Sequence, residues 1–140
     1  MQLKTQITRS DINKYYKIAQ NRIKFIHSNP VEDIYEKIQK NYHLAIIIDE
    51  KGDNLIGSIV CKIDNDFFSN KQCTIIDFFT EEGNNFEEIS NMLFDWILQI
   101  SQQYLCHNII FESFTANKIE QKFFSNKKFI LEKFLFVKNL

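Results

Sequence analysis

The feature that constrains the fold most is a change in the spacing of the apolar residues between residues 80 and 87. Before this point, runs at residues 43–48, 55–63 and 72–80 carry the β-branched and aromatic residues typical of strands. After it, apolar residues recur every three or four positions over residues 87–104. Short polar segments separate the three runs. The sequence therefore predicts three consecutive antiparallel strands followed by one long amphipathic helix.

The segments on either side of this block complete the order of elements. Alternating apolar residues predict strands, and Ser, Asp, Asn and Pro at helix-starting positions predict helices. The order β-α-α-β-β-β-α-β-α-β predicts a single α/β (α+β) domain over residues 1–140. The flanking elements are a strand at 3–7, a helix from Ser10, a helix from Pro30 to near Tyr42, a buried strand at 108–114, a helix at 118–126 and a final strand at 129–137.

Composition and charge narrow the class of protein. The 140 residues are 44% hydrophobic and 14% aromatic, which is enough apolar material to close a core. With 17 basic and 18 acidic residues the net charge is −1, so the whole chain is not attracted to nucleic acid or to an anionic membrane. No run approaches the ~20 apolar residues of a membrane span, and the N-terminal residues contain no apolar signal core. We therefore predict a soluble, cytoplasmic protein without a nucleic-acid or membrane partner.

The cysteines and histidines do not indicate a disulfide framework, a metal site or a catalytic triad. The cysteines are odd in number, far apart and in no CxxC spacing, so we expect buried, reduced thiols. The histidines are isolated from one another and from any Ser or Cys in a recognisable arrangement. The residues concerned are Cys61, Cys73, Cys106, His27, His43 and His107.

In the segment at residues 117–129, the spacing of certain residues matches a known sequence pattern. Asn117, Phe123 and Phe129 match the pattern N-x-x-A-x-x-F-Y-x-x-x-G-F in register, and Glu120, Phe124 and Lys128 stand at its Ala, Tyr and Gly. This segment, together with the order of elements over essentially the whole chain, resembles the GNAT superfamily of acyl-CoA N-acyltransferases. The tyrosine of that family is thought to protonate the leaving thiolate, which the phenyl ring of Phe124 cannot do.

A second segment, residues 77–93, is similar to the GNAT pattern D-L-Y-V-x-P-x-Y-R-G-x-G-I-G-x-x-L. Asp77, Ile89 and Leu93 match it. In the family, glycines in this loop let the coenzyme A pyrophosphate approach the main chain at the start of the long helix. The Arg and the three Gly of the pattern are replaced by Asn85, Phe86, Glu88 and Ser90.

The resemblance implies a fold, an activity and a set of site residues. It implies a mixed, mostly antiparallel sheet flanked by helices, whose strands splay at a cofactor cleft. It also implies acetyl transfer from acetyl-CoA to a small-molecule amine or a protein amino group, without a metal, in a possible homodimer. The implied general-base candidates are Asp77, Glu81 and Glu82, and the implied cofactor-binding residues are Phe79, Thr80, Gly83, Asn84, Asn85 and Asn117.

A different class of function stays open because the loop is acidic and poor in glycine. In this alternative the chain is a catalytically impaired GNAT-like protein that serves as a binding or assembly module. Asn84 or Asn85 then caps the long helix, and Glu87 and Glu88 stabilise its dipole without a ligand. The exposed apolar surface of such a module is predicted at Phe67, Phe68 and Phe78.

Two further expectations concern packing. The strands at 72–80 and 108–114 should be adjacent and parallel, part at their C-terminal ends, and be bridged by the helix at 87–104. The face of this helix that contacts the sheet should contain Leu93, Trp96, Ile97 and Ile100.

Overall fold

A computed structural model describes residues 1–112, 118–130 and 136–140. Over these residues the order of elements agrees with the order predicted from the sequence. The predicted final strand lies mostly outside the described residues, and its described ends, Phe129, Ile130, Phe136 and Val137, are not in a strand. The elements are β1 Gln2–Lys4, α1 Arg9–Ala19, α2 Pro30–Ile38, β2 Tyr42–Ile48, β3 Leu55–Asn65, β4 Lys71–Thr80, α3 Phe86–Gln103, β5 Asn108–Phe111 and α4 Lys118–Asn126.

The described strands form one sheet in the order β1-β2-β3-β4-β5. The first four strands pair antiparallel, and β4 pairs with β5 in parallel through α3. The mixed, mostly antiparallel sheet and the parallel neighbours are thus confirmed. The predicted buried strand at 108–114 is shorter and more open: Asn108 is exposed, Ile109 to Phe111 are half-buried, and residues 113–114 lie outside the described chain.

The sheet separates two apolar cores. The larger core, under α3 and α4, includes the fully buried Ile59, Ile75 and Leu93. The smaller core, under α1 and α2, includes Ile12 and Ile46. Since α2 contains no fully buried residue, the α1–α2 side of the sheet is the more lightly packed one.

Helix α1 is capped at Thr8, two residues before the start at Ser10 that the sequence suggested. Thr8 is the cap, its hydroxyl accepts from the backbone N–H of Asp11, and the Asp11 carboxylate accepts from the N–H of Thr8. This reciprocal capping box outweighs Ser10 as a start signal because it satisfies two free N–H groups at once. In α2, Pro30 occupies the first turn as predicted.

Helix α3 lies close against the sheet over a glycine. A Cβ on Gly57 would lie 2.6 Å from Cγ2 of Ile89, so only glycine permits this approach without movement. Leu93, Ile97 and Ile100 are buried as predicted. Trp96 is only half-buried. The second row of buried residues on α3 is formed by Ser90, Phe94 and Ser101, so Trp96 lies at the edge of the buried face.

The remaining packing predictions have mixed outcomes. Cys61 and Cys73 are buried free thiols as expected, whereas Cys106 is only half-buried. Phe67 and Phe68 are exposed, but Phe78 is 5% exposed and belongs to the larger core, so its assignment to an apolar surface was wrong. None of the helices in the described part of the chain is long and apolar enough to cross a membrane.

Candidate functional site

A cleft opens where β4 extends beyond its pairing with β5. That pairing ends at Ile75 and Phe111, where the N–H of Glu112 donates to the carbonyl of Ile75 at 3.1 Å. Strand β4 then continues to Thr80. The cleft has a volume of about 1060 Å³, and its lining is Asn21, Arg22, Phe78, Phe79, Thr80, Glu81, Glu82, Gly83, Phe86, Ile119 and Glu120.

A bulge in β4 decides which side chains face the cleft. Asp77 pairs with Val60, but Ile75 pairs with the next residue, Cys61, so Ile76 is an extra residue. The bulge reverses the alternation of the strand: Phe78 packs in the core under α3, while Phe79 packs in the core under α1. Bulges of this kind re-aim side chains and are common beside active sites.

The backbone of β4 offers hydrogen-bonding groups to the cleft. The N–H of Glu81 donates to the carbonyl of Ile56 at 2.9 Å, so the backbone groups of odd-numbered residues here face β3. Backbone groups alternate in direction along a strand, and those of Phe78 and Thr80 therefore face away from β3. The described residues of β5 do not pair with them. The backbone groups of Phe78 and Thr80 can therefore bind the amide groups of an extended ligand.

The first turn of α3 provides further donors. Asn85 is the cap residue, but its side chain makes no capping hydrogen bond, so the predicted asparagine cap is only positional. Among the described residues, the backbone N–H groups of Glu87 and Glu88 have no acceptor. Gly83 precedes this turn with φ of 139°, a conformation that other residues rarely adopt. Free N–H groups at the start of a long helix favour an anion.

The side chains near this anion-binding position, including those that replace the glycines of the GNAT pattern, differ in their effect. Ser90 is fully buried, and its hydroxyl lies 3.1 Å from that of Thr80, so its side chain does not occupy the anion-binding position. Phe86 packs edge-on against Phe123 with ring centroids 6.5 Å apart. Glu87 and Glu88 are exposed. The backbone therefore fits a coenzyme A pyrophosphate, and the opposing factor is negative charge.

That charge is moderated by water. Glu81, Glu82, Glu87 and Glu88 are all exposed near the cleft. A carboxylate about 6 Å from a phosphate charge repels it by about 3 kcal/mol at an effective dielectric constant of 20, but by less than about 1 kcal/mol in bulk water. Since these side chains are solvated, the smaller value applies. Each carboxylate therefore opposes an anion at this position by less than about 1 kcal/mol.

Asp77 is engaged in a buried network that sequence reasoning missed. Its carboxylate accepts from the Tyr15 hydroxyl at 2.6 Å and from both terminal nitrogens of Arg22 at 2.5 and 3.2 Å. The carboxylate side chain is 10% exposed. Burial, and then the charge of Asp77 and its hydrogen bond, raise the pKa of Tyr15 above its usual range. Burial lowers the pKa of Arg22, but the contacts with Asp77 outweigh it and the pKa is raised.

Phe124 lies in an aromatic cluster and not at a free position in the cleft. The ring stacks on Phe111 with centroids 4.1 Å apart and contacts Phe78 edge-on at 5.1 Å. It is 4% exposed. The network around Asp77 contains one phenol near the end of β4, that of Tyr15. Its hydroxyl donates a hydrogen bond to Asp77. The described residues therefore place no free phenol where the GNAT tyrosine is implied.

The structure gathers most of the predicted site residues but not all of them. Phe79, Thr80, Glu81, Glu82 and Gly83 line the cleft together. Asn84 and Asn85 are exposed at the start of α3, beside the lining, and Asn117 lies outside the described residues. Asp77 faces α1. Within the described ranges, His, Cys, Asp and Glu form no group arranged to hold a metal ion.

Comparison with solved structures identifies the fold. The chain is similar to an acetyltransferase from Trypanosoma brucei (TM-score 0.79, 13% identity, 99% of both chains). It is also similar to glucosamine-6-phosphate N-acetyltransferase from Arabidopsis thaliana (0.77, 12%, 99% of this chain and 97% of that one). A third similar structure is aminoglycoside antibiotic 6'-N-acetyltransferase from Acinetobacter haemolyticus (0.80, 9%, 100% and 99%).

At these identities the likeness defines the fold alone. No protein-family model matches the chain, and neither does any curated protein sequence. The chain has the fold of the GNAT acetyltransferases over its whole length, as the sequence resemblance implied.

Proposed function

We propose that the chain binds an acyl-CoA in the cleft at the end of β4 and transfers the acyl group to an amine. The supporting observation is the backbone of Phe78 and Thr80, which faces away from β3, is not paired by any described residue of β5, and lies beside the free N–H groups of α3. The acetyltransferase neighbours include two named for amine-bearing substrates, glucosamine-6-phosphate and an aminoglycoside. The amine class, as a small molecule or a protein amino group, is carried over from them.

The residues of the cleft divide the binding work. The backbone groups of Phe78 and Thr80 suit the amides of the pantetheine arm, and the N–H groups of Glu87 and Glu88 suit the pyrophosphate. Gly83 and the side chains of Asn84 and Asn85 border this position and can add contacts. Acetyl-CoA supplies the acyl group in an activated thioester.

The acidic residues of the cleft suit the acceptor. An ammonium group must lose a proton before it can attack a carbonyl, and a carboxylate can accept this proton directly or through one water. Glu81 and Glu82 lie on the cleft lining and are exposed, so they are the proposed general bases. Asp77 is a weaker candidate, because its oxygens already accept three hydrogen bonds.

The leaving thiolate departs without a side-chain acid in this proposal. Thiols have pKa values of about 8.5, so a thiolate is a tolerable leaving group near neutral pH. Loss of a general acid typically costs about 10²- to 10⁴-fold in rate. We therefore expect slow turnover.

Calorimetric titration with acetyl-CoA tests the donor site. The wild-type protein should bind weakly, and Glu87→Gln and Glu88→Gln should each strengthen binding about threefold, since each removes under about 1 kcal/mol of repulsion. Glu36→Gln is the matched control, because it removes the same charge from an exposed position on α2. A folded wild-type protein that binds no acetyl-CoA at millimolar concentration would refute the proposal.

Thiol release from acetyl-CoA tests the chemistry. The acceptors are glucosamine 6-phosphate, an aminoglycoside and a lysine amide. Glu81→Gln or Glu82→Gln should lower kcat/KM about 10²-fold or more if that residue is the base, without weakening acetyl-CoA binding. Equal rates for both variants and wild type would remove both glutamates from the mechanism.

A second candidate function is a binding module, favoured by the exposed pair at the β3–β4 turn. Phe67 is 92% exposed and Phe68 is 78% exposed, and their rings pack edge-on at 5.1 Å. The Asp66 carboxylate accepts from the N–H groups of Phe68 and Asn70, which fixes the turn. If acetyl-CoA does not bind, this surface becomes the leading candidate for function.

A further inference from the structure

The cleft wall formed by Asn21 and Arg22 has few backbone hydrogen bonds, and the neighbouring Ile23 and Phe25 pack against the core under α1. The wall follows the end of α1 in a segment, residues 20–29, that contains no described helix or strand. The backbone N–H groups of Arg22 and Ile23 bond back to Ala19 at 2.9 and 2.8 Å. Further along, Ile26 is 83% exposed. The main chain alone therefore fixes only the beginning of this segment.

The Arg22 side chain attaches the wall to the sheet. Its guanidinium forms a two-pronged ion pair with Asp77 and lies 5.1 Å from the ring centre of Phe79. A paired fork of this kind is directional, so it fixes orientation as well as distance. The Arg22 side chain is 23% exposed.

The hydrogen bonds of Arg22 indicate that its contact with Asp77 serves the cleft and does not only stabilise the fold. Nε of Arg22 is buried and has no hydrogen-bond partner in the described residues. An unpaired buried donor is costly, and it is accepted here while the terminal nitrogens reach Asp77. Asp77 itself faces α1 only because of the bulge at Ile76.

We propose that Arg22 is a positioning residue, whose ion pair with Asp77 holds the segment after α1 in place as the acceptor-side wall of the cleft. The groups proposed to bind the acyl donor are the Phe78 and Thr80 backbone, which faces away from β3 in the plane of the sheet, and the first turn of α3, which lies on the α3 face. Arg22 lies on the opposite, α1 face of β4, from which an amine can approach. The acceptor role rests on the proposed function, whereas the placement of the wall does not.

Hydrogen exchange of the full chain tests the placement. In Arg22→Ala, amides of residues 20–29 should exchange at least tenfold faster beyond any acceleration that they share with β4 and α3. Arg22→Lys keeps one contact with Asp77 and should recover most of the protection. Arg9→Ala is the matched control, because Arg9 forms a similar two-pronged pair with Glu32 but lies away from the cleft lining. It should leave residues 20–29 within threefold of wild type.

Two ligand measurements separate positioning from donor binding. The Kd for acetyl-CoA should change less than threefold in Arg22→Ala, while the KM for lysine amide rises at least tenfold with kcat within threefold. Uniformly faster exchange in all elements, unchanged exchange at residues 20–29, or a tenfold weaker Kd would each overturn the proposal. If wild type binds no acetyl-CoA, the proposed function fails, and the exchange experiment still decides the placement of the wall.

Discussion

The two walls of the cleft are built by different physics. The wall of α3 and α4 is a cluster of phenylalanines in mutual contact, including Phe78, Phe94 and Phe124. The wall after α1 is joined to the sheet at the cleft by the ion pair between Arg22 and Asp77, while Ile23 and Phe25 pack against the core under α1. Close packing determines the first wall through shape at many contacts, whereas at the cleft the second wall depends on the directional hydrogen bonds of one ion pair.

This difference implies unequal tolerance to change. Each aromatic pair adds about 0.5–1.5 kcal/mol beyond its buried area, so the loss of one ring is felt by several neighbours. An ion pair loses everything when either partner is removed, and the remaining charge is left without its counterion. We therefore expect the packed wall to resist motion. We expect single substitutions to change the position of the ion-paired wall.

Phe124→Ala should have the largest effect on stability. It would leave a cavity among Phe78, Phe111 and Phe129 and lower the free energy of unfolding by about 3–5 kcal/mol. Urea denaturation measures this change. Phe67→Ala is the control, because that ring is 92% exposed and its loss should cost less than about 0.5 kcal/mol. A cost for Phe124→Ala of less than about 1 kcal/mol would contradict the packed-wall description.

Asp77→Ala should come next, at about 2–3 kcal/mol. Breaking a buried ion pair costs about 3–5 kcal/mol, and this pair is somewhat less because Arg22 remains 23% exposed. Combined with Arg22→Ala in a double-mutant cycle, the coupling energy should be about 1–3 kcal/mol. Additive effects of the two substitutions in urea denaturation would show that the pair does not hold the wall.

The sequence predicted the packed wall better than the ion-paired one. Apolar periodicity is local, so it located α3 and the three central strands. It misplaced Trp96 because residues at the edge of an amphipathic stripe have nearly the same spacing as residues at its centre.

The ion-paired wall could not be predicted, for two reasons. Tyr15 and Arg22 lie 62 and 55 positions from Asp77, and nothing local links residues at such separations. The bulge that turns Asp77 toward them adds one residue, Ile76, to a run that is apolar on both sides. The apolar pattern of this run is therefore the same with and without the bulge. The loop and cleft residues 79–83 were found because the family resemblance, and not periodicity, pointed to them.

Tyr15→Phe should be a smaller perturbation of the same wall. It removes one of the three hydrogen bonds to Asp77 and keeps the ion pair, so the expected loss is about 1.5–2 kcal/mol, as for a hydrogen bond to a charged group. Tyr16→Phe is the matched control, since Tyr16 packs against Phe25 and its hydroxyl is not part of the network. Equal stability of Tyr15→Phe and Tyr16→Phe in urea would remove the hydroxyl from the wall.

Asp11→Asn should have the smallest effect, and one that depends on pH. Burial favours the neutral acid, but hydrogen bonds from Thr8 and Lys4 outweigh it, so the pKa of Asp11 is lowered in the folded protein. A lowered carboxyl pKa means that its stabilisation is present above the unfolded value of about 3.9 and is lost as pH falls through the folded value. The capping box should contribute about 1 kcal/mol at pH 6.

Urea denaturation of wild type and Asp11→Asn at pH 6, 4.5 and 3 measures this dependence. The difference in unfolding free energy should stay near 1 kcal/mol at the two higher values and shrink at pH 3, because below the unfolded pKa the carboxyl group binds a proton more readily in the unfolded chain than in the folded protein. Lys4→Met should reduce the difference, since Lys4 donates to both Asp11 oxygens at 2.9 and 3.0 Å. A difference that grows toward acid pH would reverse the sign and show that the carboxylate destabilises α1.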